Sequence, residues 1–171
     1  SNAATVSGGI AVGLDLLRIQ PPQDNTLLSP VVIEQMLVAL EEGSLGKTRR
    51  ELLRVLPSNV SSNALGCLIR EWQMPGTTPH EMAPGLKVRL AGGIWVVLKP
   101  AFREVIARDF GWHEGTADFL KGDARKSINQ WVAQQTEQKI PELFSERMVD
   151  QQTRLVLAST AYFKGKWSLP F

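Results

Sequence analysis

Apolar residues recur at helical spacing along the first third of the chain. Over residues 6–19 this pattern predicts an amphipathic helix. A second helix is predicted to begin at Pro30, with Ser29 as its N-cap, and to end near Gly43. We expect this second helix to bury an apolar stripe made of Ile33, Met36, Leu37 and Leu40.

Capping residues mark the starts of further helices. Thr48 and Glu51 have the spacing of a capping box, which predicts a helix beginning at that point. Either Ser61 or Ser62 precedes the next helical pattern as its cap. Asp123 is a suitable N-cap for a helix over the residues that follow it.

Strand-like patterns occupy the middle and the end of the chain. Residues 86–98 alternate and then run apolar, while the Gly92–Gly93 pair within them indicates a bend or close packing. A shorter strand is predicted over residues 112–119. Residues 153–163 form an apolar, β-branched and aromatic run, which predicts a buried strand.

Composition and charge exclude several classes of protein. The 171 residues are 43% hydrophobic and 21% charged, as in an ordinary globular protein. A formal net charge of +2 without a basic run argues against a nucleic-acid binder. No apolar stretch approaches the ~20 residues that span a bilayer, so no membrane partner is expected. The single cysteine, Cys67, excludes an internal disulfide, and we expect it to be a small buried apolar residue.

The polar residues do not form a catalytic or metal-binding pattern. His80 and His113 have no Cys or His at ligand spacing, so we expect surface or packing roles. The adjacent pair Glu41–Glu42 diverges on a helix and is expected to be solvated. Ser29 has no base placed beside it, and its capping role accounts for it. The chain is therefore not expected to be an enzyme or to bind a cofactor. Core positions are expected for the large aromatic residues Trp131 and Trp167.

Three motifs resemble those of the serpin family. TRLVLASTAYFKGKWSLPF, residues 153–171, is similar to the serpin strand signature LVLVNAxYFKGxW, through Tyr162, Phe163, Lys164, Gly165 and Trp167. The N-terminal pattern N-x-x-x-S-P-x-x-I with G-x-x-G-x-T matches at Asn25, Ser29, Pro30, Ile33, Gly43, Gly46 and Thr48. Residues 128–143 resemble the helical motif I-N-x-W-V-x-x-x-T-x-x-K-I-x-x-L, with Gln138 where the family usually has Gly.

The resemblance implies an α+β fold, a serpin-like N-terminal half with helices packed on a large mixed β-sheet. Residues 1–3 look like an expression-tag scar, and residues 4–171 would be the N-terminal portion of one serpin domain. The reactive loop and the C-terminal strands of a serpin lie beyond the family positions that this chain covers. We therefore expect a partner for the chain: the C-terminal serpin half or another copy of the chain.

The implied function is serine protease inhibition by conformational trapping. A target serine protease cleaves the reactive loop, which inserts as a new strand beside residues 153–163. Three positions correspond to the polar cluster that gates insertion, the shutter: Ser29, which matches the family residue, and Val32 and Ser159, which do not. The family usually has Ser at the second and Asn at the third. These two departures keep open an alternative, a non-inhibitory carrier, chaperone or hormone precursor, or a truncated product with an interaction role.

The resemblance also bears on localisation. Serpins of this type imply a secreted, extracellular glycoprotein, and Asn59-Val60-Ser61 is an N-glycosylation sequon. The stretches MAPGL and VDQQTRLVL look nearest to the plasminogen activator inhibitor branch. In heparin-binding serpins a helix that corresponds to residues 61–72 presents several basic residues. Here it offers only Arg70, so no heparin site is expected.

Overall fold

The computed structural model describes most of the chain in two compact units. The described residues are 2–21, 26–56, 61, 64–67, 87–96, 98–115, 119 and 123–166. One unit comprises Ser1–Leu68 and Pro100–Gly111, and the other comprises Ile69–Lys99 and Trp112–Phe171. Outside the described residues lie several positions discussed above: Asn25, Asn59, Ser62, Arg70, His80 and Trp167.

The first unit is helical. Its helices are α1 (Asn2–Arg18), α2 (Pro30–Glu42), α3 (Gly46–Val55) and α4 (Pro100–Val105), and α4 continues into a π-helical turn (Ile106–Phe110). Both α1 and α3 pack against α2. A short helical segment, residues 64–67, begins after Ser61, whose hydroxyl accepts a hydrogen bond from the Ala64 amide at 3.2 Å. Of the two predicted caps, the structure therefore selects Ser61.

The buried side of α2 differs from the predicted one. The four residues of the predicted apolar stripe are only half-buried. The buried residues are instead Val32, Glu34, Gln35, Val38, Ala39 and Glu41. Periodicity groups the apolar residues on one side of the helix, but it does not show which side is covered. α1 and α3 contact the side that carries Pro30 and Glu41.

The two glycines that follow α2 have different roles. Gly43 ends α2 with a φ of −85°, so the left-handed region is not used there. A Cβ at Gly43 would lie 2.7 Å from Phe102 Cζ, and this close approach requires the glycine. α3 begins at Gly46, which places Thr48 and Glu51 inside the helix. The capping-box prediction is therefore wrong, because the helix starts two residues before Thr48.

The second unit is built on a three-stranded mixed sheet. Its elements are β1 (Lys87–Trp95), β2 (His113–Gly115), α5 (Ala124–Gln135) and β3 (Val156–Lys164), and the strand order is β2-β1-β3. β1 pairs with β2 in parallel and with β3 in antiparallel fashion. The second pairing runs over nine residues, from Lys87 opposite Lys164 to Trp95 opposite Val156. The α+β architecture is confirmed, and β2 falls within the strand predicted over residues 112–119, of which 116–118 lie outside the described residues.

Aromatic side chains join α5 to one face of this sheet. Trp95 and Trp131 meet edge to face, with ring centres 5.3 Å apart. His113 is exposed and stacks on Trp131 at 6.1 Å, which gives it a packing role. The buried cluster consists of Trp95, Ile128, Trp131, Val132, Val156 and Ala158.

Glycines make room for the indole rings in this core. A Cβ at Gly93 would lie 2.6 Å from Trp95 Cη2, and a Cβ at Gly92 would overlap the indole of Trp112. A Cβ at Gly115 would overlap Trp95 Nε1. The close packing predicted for the Gly92–Gly93 pair is thus observed, and Gly115 extends it to β2.

We predict that Gly115→Ala destabilises the protein, because the added methyl group cannot enter without moving the buried Trp95. Overpacking of this kind costs about 3 kcal/mol. Gly111→Ala is the control: Gly111 has a φ of 60° and open space around its Cα, so only backbone strain of about 1 kcal/mol applies. Denaturant unfolding followed by circular dichroism measures both variants. Equal losses would contradict the packing explanation.

Candidate functional site at the open edge of the sheet

β3 is the candidate site because, among the described residues, one of its edges has no strand beside it. It pairs with β1 on one side, and the described residues provide no strand on the other. An edge strand presents a row of backbone N–H and C=O groups that can pair with a further strand. The arrangement can therefore accept one more strand alongside β3.

The two faces of β3 are buried to different extents. Val156, Ala158, Thr160 and Tyr162 are buried. On the other face Leu157 and Ser159 are half-buried, and Ala161 is exposed. Phe163 is 73% exposed. One face is thus fixed by the core, while the other offers apolar surface to a neighbouring segment.

The edge lacks the features that usually protect an edge strand. From Val156 to Phe163 there is no charged residue and no proline, and the first charge is Lys164 at the end of the strand. Natural edge strands are commonly blunted by such residues. β3 therefore has the sequence of a strand that is paired on both sides.

The three positions expected to form the shutter are divided between the two units, with Ser29 and Val32 in one and Ser159 in the other. In the sheet unit, the Ser159 hydroxyl donates to the Ala91 carbonyl at 3.1 Å. In the helical unit, Ser29 is the N-cap residue of α2 as predicted, and its carbonyl accepts the Ile33 amide at 3.1 Å, but its side chain makes no capping bond. Its φ of −109° and ψ of 99° suit an N-cap, but its hydroxyl does not turn to the helix amides. Val32 is 8% exposed in the same unit.

Of the signature residues, Tyr162 has the clearest structural role. Its hydroxyl donates to Glu137 Oε2 at 2.9 Å, just beyond the end of α5. Phe163, Lys164 and Gly165 are exposed. Tyr162 therefore anchors β3 to the residues that follow α5. The exposed signature residues lie at the C-terminal end of the strand.

Glu137 is the centre of a charged network that joins α5 to both long strands. Its carboxylate accepts a hydrogen bond from Lys87 Nζ of β1, and Arg89 Nη2 lies 4.0 Å away. The hydrogen bonds from Lys87 and then from Tyr162 lower the pKa of Glu137. The same contact, together with burial, raises the pKa of the Tyr162 hydroxyl. The network favours the ionised carboxylate and fixes the helix end on the sheet.

The backbone after α5 adopts an unusual conformation. Glu137 and Gln138 have φ values of 50° and 62°, in the left-handed region that non-glycine residues rarely occupy. The Gln138 amide donates to the Ala133 carbonyl at 2.8 Å, which closes the helix end. Gln138 thus adopts the left-handed conformation at the end of the helix that glycine usually adopts.

Asn129 holds the segment that leads from α5 to β3. Its Oδ1 accepts the Leu143 and Phe144 amides at 3.0 and 2.9 Å. Its Nδ2 donates to the Phe144 carbonyl at 2.9 Å. Sequence reasoning missed this role, although a polar residue between the core positions Ile128 and Trp131 could have indicated it.

Two other predictions about polar residues are wrong. Cys67 is exposed rather than buried, because residues two apart on a helix point in opposite directions and Leu65 is the buried one. Glu41 is buried rather than solvated, and it accepts a hydrogen bond from Arg49 Nε at 2.6 Å. Its neighbour Glu42 is exposed as predicted.

The described residues also bear on metal and membrane binding. Within them, no three His, Cys, Asp or Glu side chains converge as a metal site would require. Nor does any described helix have the length and apolar character needed to traverse a bilayer.

Comparison with known proteins identifies one family. The model described as "Serpin (serine protease inhibitor)" matches residues 11–171. Serpin-Z2A of Oryza sativa subsp. japonica is 34% identical over 153 residues, which cover 86% of this chain and 36% of the relative. The leukocyte elastase inhibitor of Xenopus laevis is 33% identical over 153 residues, covering 86% of this chain and 40% of the relative.

Solved structures agree on the fold. Ovalbumin from emu (Dromaius novaehollandiae) superposes with a TM-score of 0.81 at 22% identity, covering 100% of this chain and 48% of that structure. The chain thus spans less than half the length of each of these three proteins.

We predict that Asn129→Ala loosens the connection into β3. The change leaves the Leu143 and Phe144 amides without their partner, which costs about 3 kcal/mol, while the Phe144 carbonyl keeps its hydrogen bond from Arg125 Nη1. Gln130→Ala, at the exposed neighbouring position, is the control and should have almost no effect. Denaturant unfolding followed by tryptophan fluorescence measures both variants. A loss for Asn129→Ala no greater than that of the control would show that the contacts do not hold the segment.

We predict that Glu137→Gln destabilises the sheet unit at neutral pH but not in acid. The pKa of Glu137 is lowered in the folded state, so its stabilising effect is present above the unfolded pKa and is lost as pH falls through the folded one. The difference in unfolding midpoint between wild type and variant should therefore shrink as pH decreases. Glu146→Gln, at an exposed position, is the control. A difference that does not change with pH would contradict the role of the charge.

Proposed function

Because the chain belongs to the serpin family, we propose that it acts in serine protease inhibition by strand insertion. Serpins inhibit proteases and are not catalytic enzymes. Residues 4–171 would form the N-terminal portion of one serpin domain, and the reactive loop would come from the remainder. After cleavage by the target protease, that loop would enter the sheet beside β3.

The open edge of β3 is the observation that supports this proposal. An inserted strand would form ladder hydrogen bonds with the unpaired groups of Val156–Lys164 and cover the apolar side chains beside them. Each net hydrogen bond contributes about 1 kcal/mol and each buried aliphatic side chain about 2 kcal/mol. A dozen inserted residues would therefore supply on the order of tens of kcal/mol gross, enough to drive a large rearrangement.

The same edge of β3 also supports the proposal that this chain associates with a partner. An uncharged edge beside the exposed Phe163 is prone to pair with other polypeptides. The partner would be the C-terminal serpin half or another copy of the chain.

A non-inhibitory role is the second candidate, and the shutter positions favour it. Val32 has no hydroxyl, and the Ser159 hydroxyl bonds to a single carbonyl, that of Ala91. The Asn that is usual in the family could donate and accept several bonds at that position. A sheet that opens less readily would suit a carrier, a chaperone, a hormone precursor or an interaction fragment.

Secretion is part of the proposal. The family resemblance and the sequon at Asn59 support an extracellular glycoprotein. The plasminogen activator inhibitor branch remains the subfamily that we propose.

Incubation of the complete protein with trypsin-like and elastase-like proteases tests the proposal. An inhibitory serpin should give an SDS-resistant covalent complex with at least one of them, because the acylated protease is trapped. Cleavage of the protein without such a complex, for both protease classes, would contradict inhibition and favour the second candidate.

Variants at the shutter sharpen this test. Val32→Ser combined with Ser159→Asn should raise the fraction of protein that forms the complex, because both positions then carry the residues that are usual in the family. Ala161→Asn, at an exposed position on the same face of β3, is the control. An equal effect of both changes would show that the shutter positions do not govern insertion.

A further inference from the structure

Glu34 in α2 is a buried carboxyl group without a polar partner. The residue is 0% exposed, and it is among the largest fully buried side chains in the structure. Neither of its carboxyl oxygens has a hydrogen-bond partner in the described structure. A buried polar group without a partner carries a large desolvation cost, and a buried charge without one carries more.

The packing of α2 explains why water does not reach Glu34. Residues four and seven apart share a face of a helix, so Glu34 lies on the face of Pro30 and Glu41. Pro30 contacts α1, where a Cβ at Gly13 would lie 2.5 Å from its Cγ. Glu41 pairs with Arg49 of α3 at 2.6 Å. Along this face of α2, the buried Glu34 thus lies between the residue that contacts α1 and the residue that pairs with α3.

The charged groups on the surrounding helices are paired elsewhere or exposed. On α1, Asp15 and Arg18 form an exposed ion pair at 2.7 Å. On α3, Arg49 is bonded to Glu41. The other charged residues of α3 and of the segment from α4 to the π-helical turn are Lys47, Arg50, Glu51, Arg54, Arg103, Glu104, Arg108 and Asp109. Asp109 is bonded to Arg108, and Lys47 lies 3.6 Å from Glu51.

We propose that Glu34 makes the helical unit proton-sensitive, so that α2 packs firmly while the carboxyl group is neutral and loosens when it ionises. The neutral acid suits its enclosed position because it needs no counter-ion. The carboxylate would need water or a cation, and the packing of α1 and α3 against α2 provides neither. Ionisation can therefore be accommodated only by partial separation of these helices.

The direction of the pH dependence follows from burial. Burial raises the pKa of Glu34 from 4.5 to about 7. Because the folded state holds the proton more tightly than the unfolded state, stability is highest at acidic pH and falls as pH rises towards the folded pKa. The dependence is opposite in sign to that of Glu137 in the sheet unit.

Carboxyl ¹³C NMR of the full chain measures the titration of Glu34 directly. Assignment uses Glu34→Gln, which mimics the neutral acid and should fold. The expected midpoint is about 7. A midpoint near 4.5, the ordinary value, would overturn the proposal.

Hydrogen exchange measured by mass spectrometry tests the loosening of the helix itself. Hydrogen exchange is used because tryptophan fluorescence would not report on the helical unit. All five tryptophans belong to the sheet unit. At matched pH, the amides of residues 31–42 in the wild type should lose protection relative to Glu34→Gln by roughly 50-fold between pH 5 and pH 8. Glu42→Gln, at an exposed position on the same helix, is the control and should follow the wild type. Equal pH dependence in wild type and Glu34→Gln would overturn the proposal.

Discussion

The antiparallel pairing of β1 with β3 is the constraint on which the sheet unit depends. It runs over nine residues and fixes which side chains of β3 face α5. A shift by one residue would exchange the two faces of the strand, taking Val156 and Ala158 out of the core and burying their neighbours instead. The indoles of Trp95 and Trp131 reinforce this register, because they fit only where glycines leave room for them.

The same pairing leaves the far edge of β3 open, and the elements around it keep that edge in place. Asn129 fixes the segment before the strand, and Glu137 fixes the helix end through Tyr162. Both anchors lie on the α5 side, away from the outer edge. An ordered strand with an accessible edge favours strand addition, because an added strand gains most from a partner that is already ordered.

The sequence predicted much of the sheet unit and less of the helical unit. Strand patterns located β1 and β3, and the Gly92–Gly93 pair indicated tight packing, because these features depend on local residues. The buried side of α2 was not predictable, since periodicity does not show where α1 and α3 pack. Nor was the role of Asn129, because its partners lie 14 and 15 residues away and are backbone atoms.

Amide hydrogen exchange along β3, resolved by NMR on the monomeric chain, tests the central claim most directly. If the strand is paired on one side only, protection should alternate from Val156 to Lys164, with every second amide exchanging rapidly. The protected amides would be those bonded to β1. Uniform protection along all nine residues would show that the outer edge is already covered, and would contradict an open site for strand insertion.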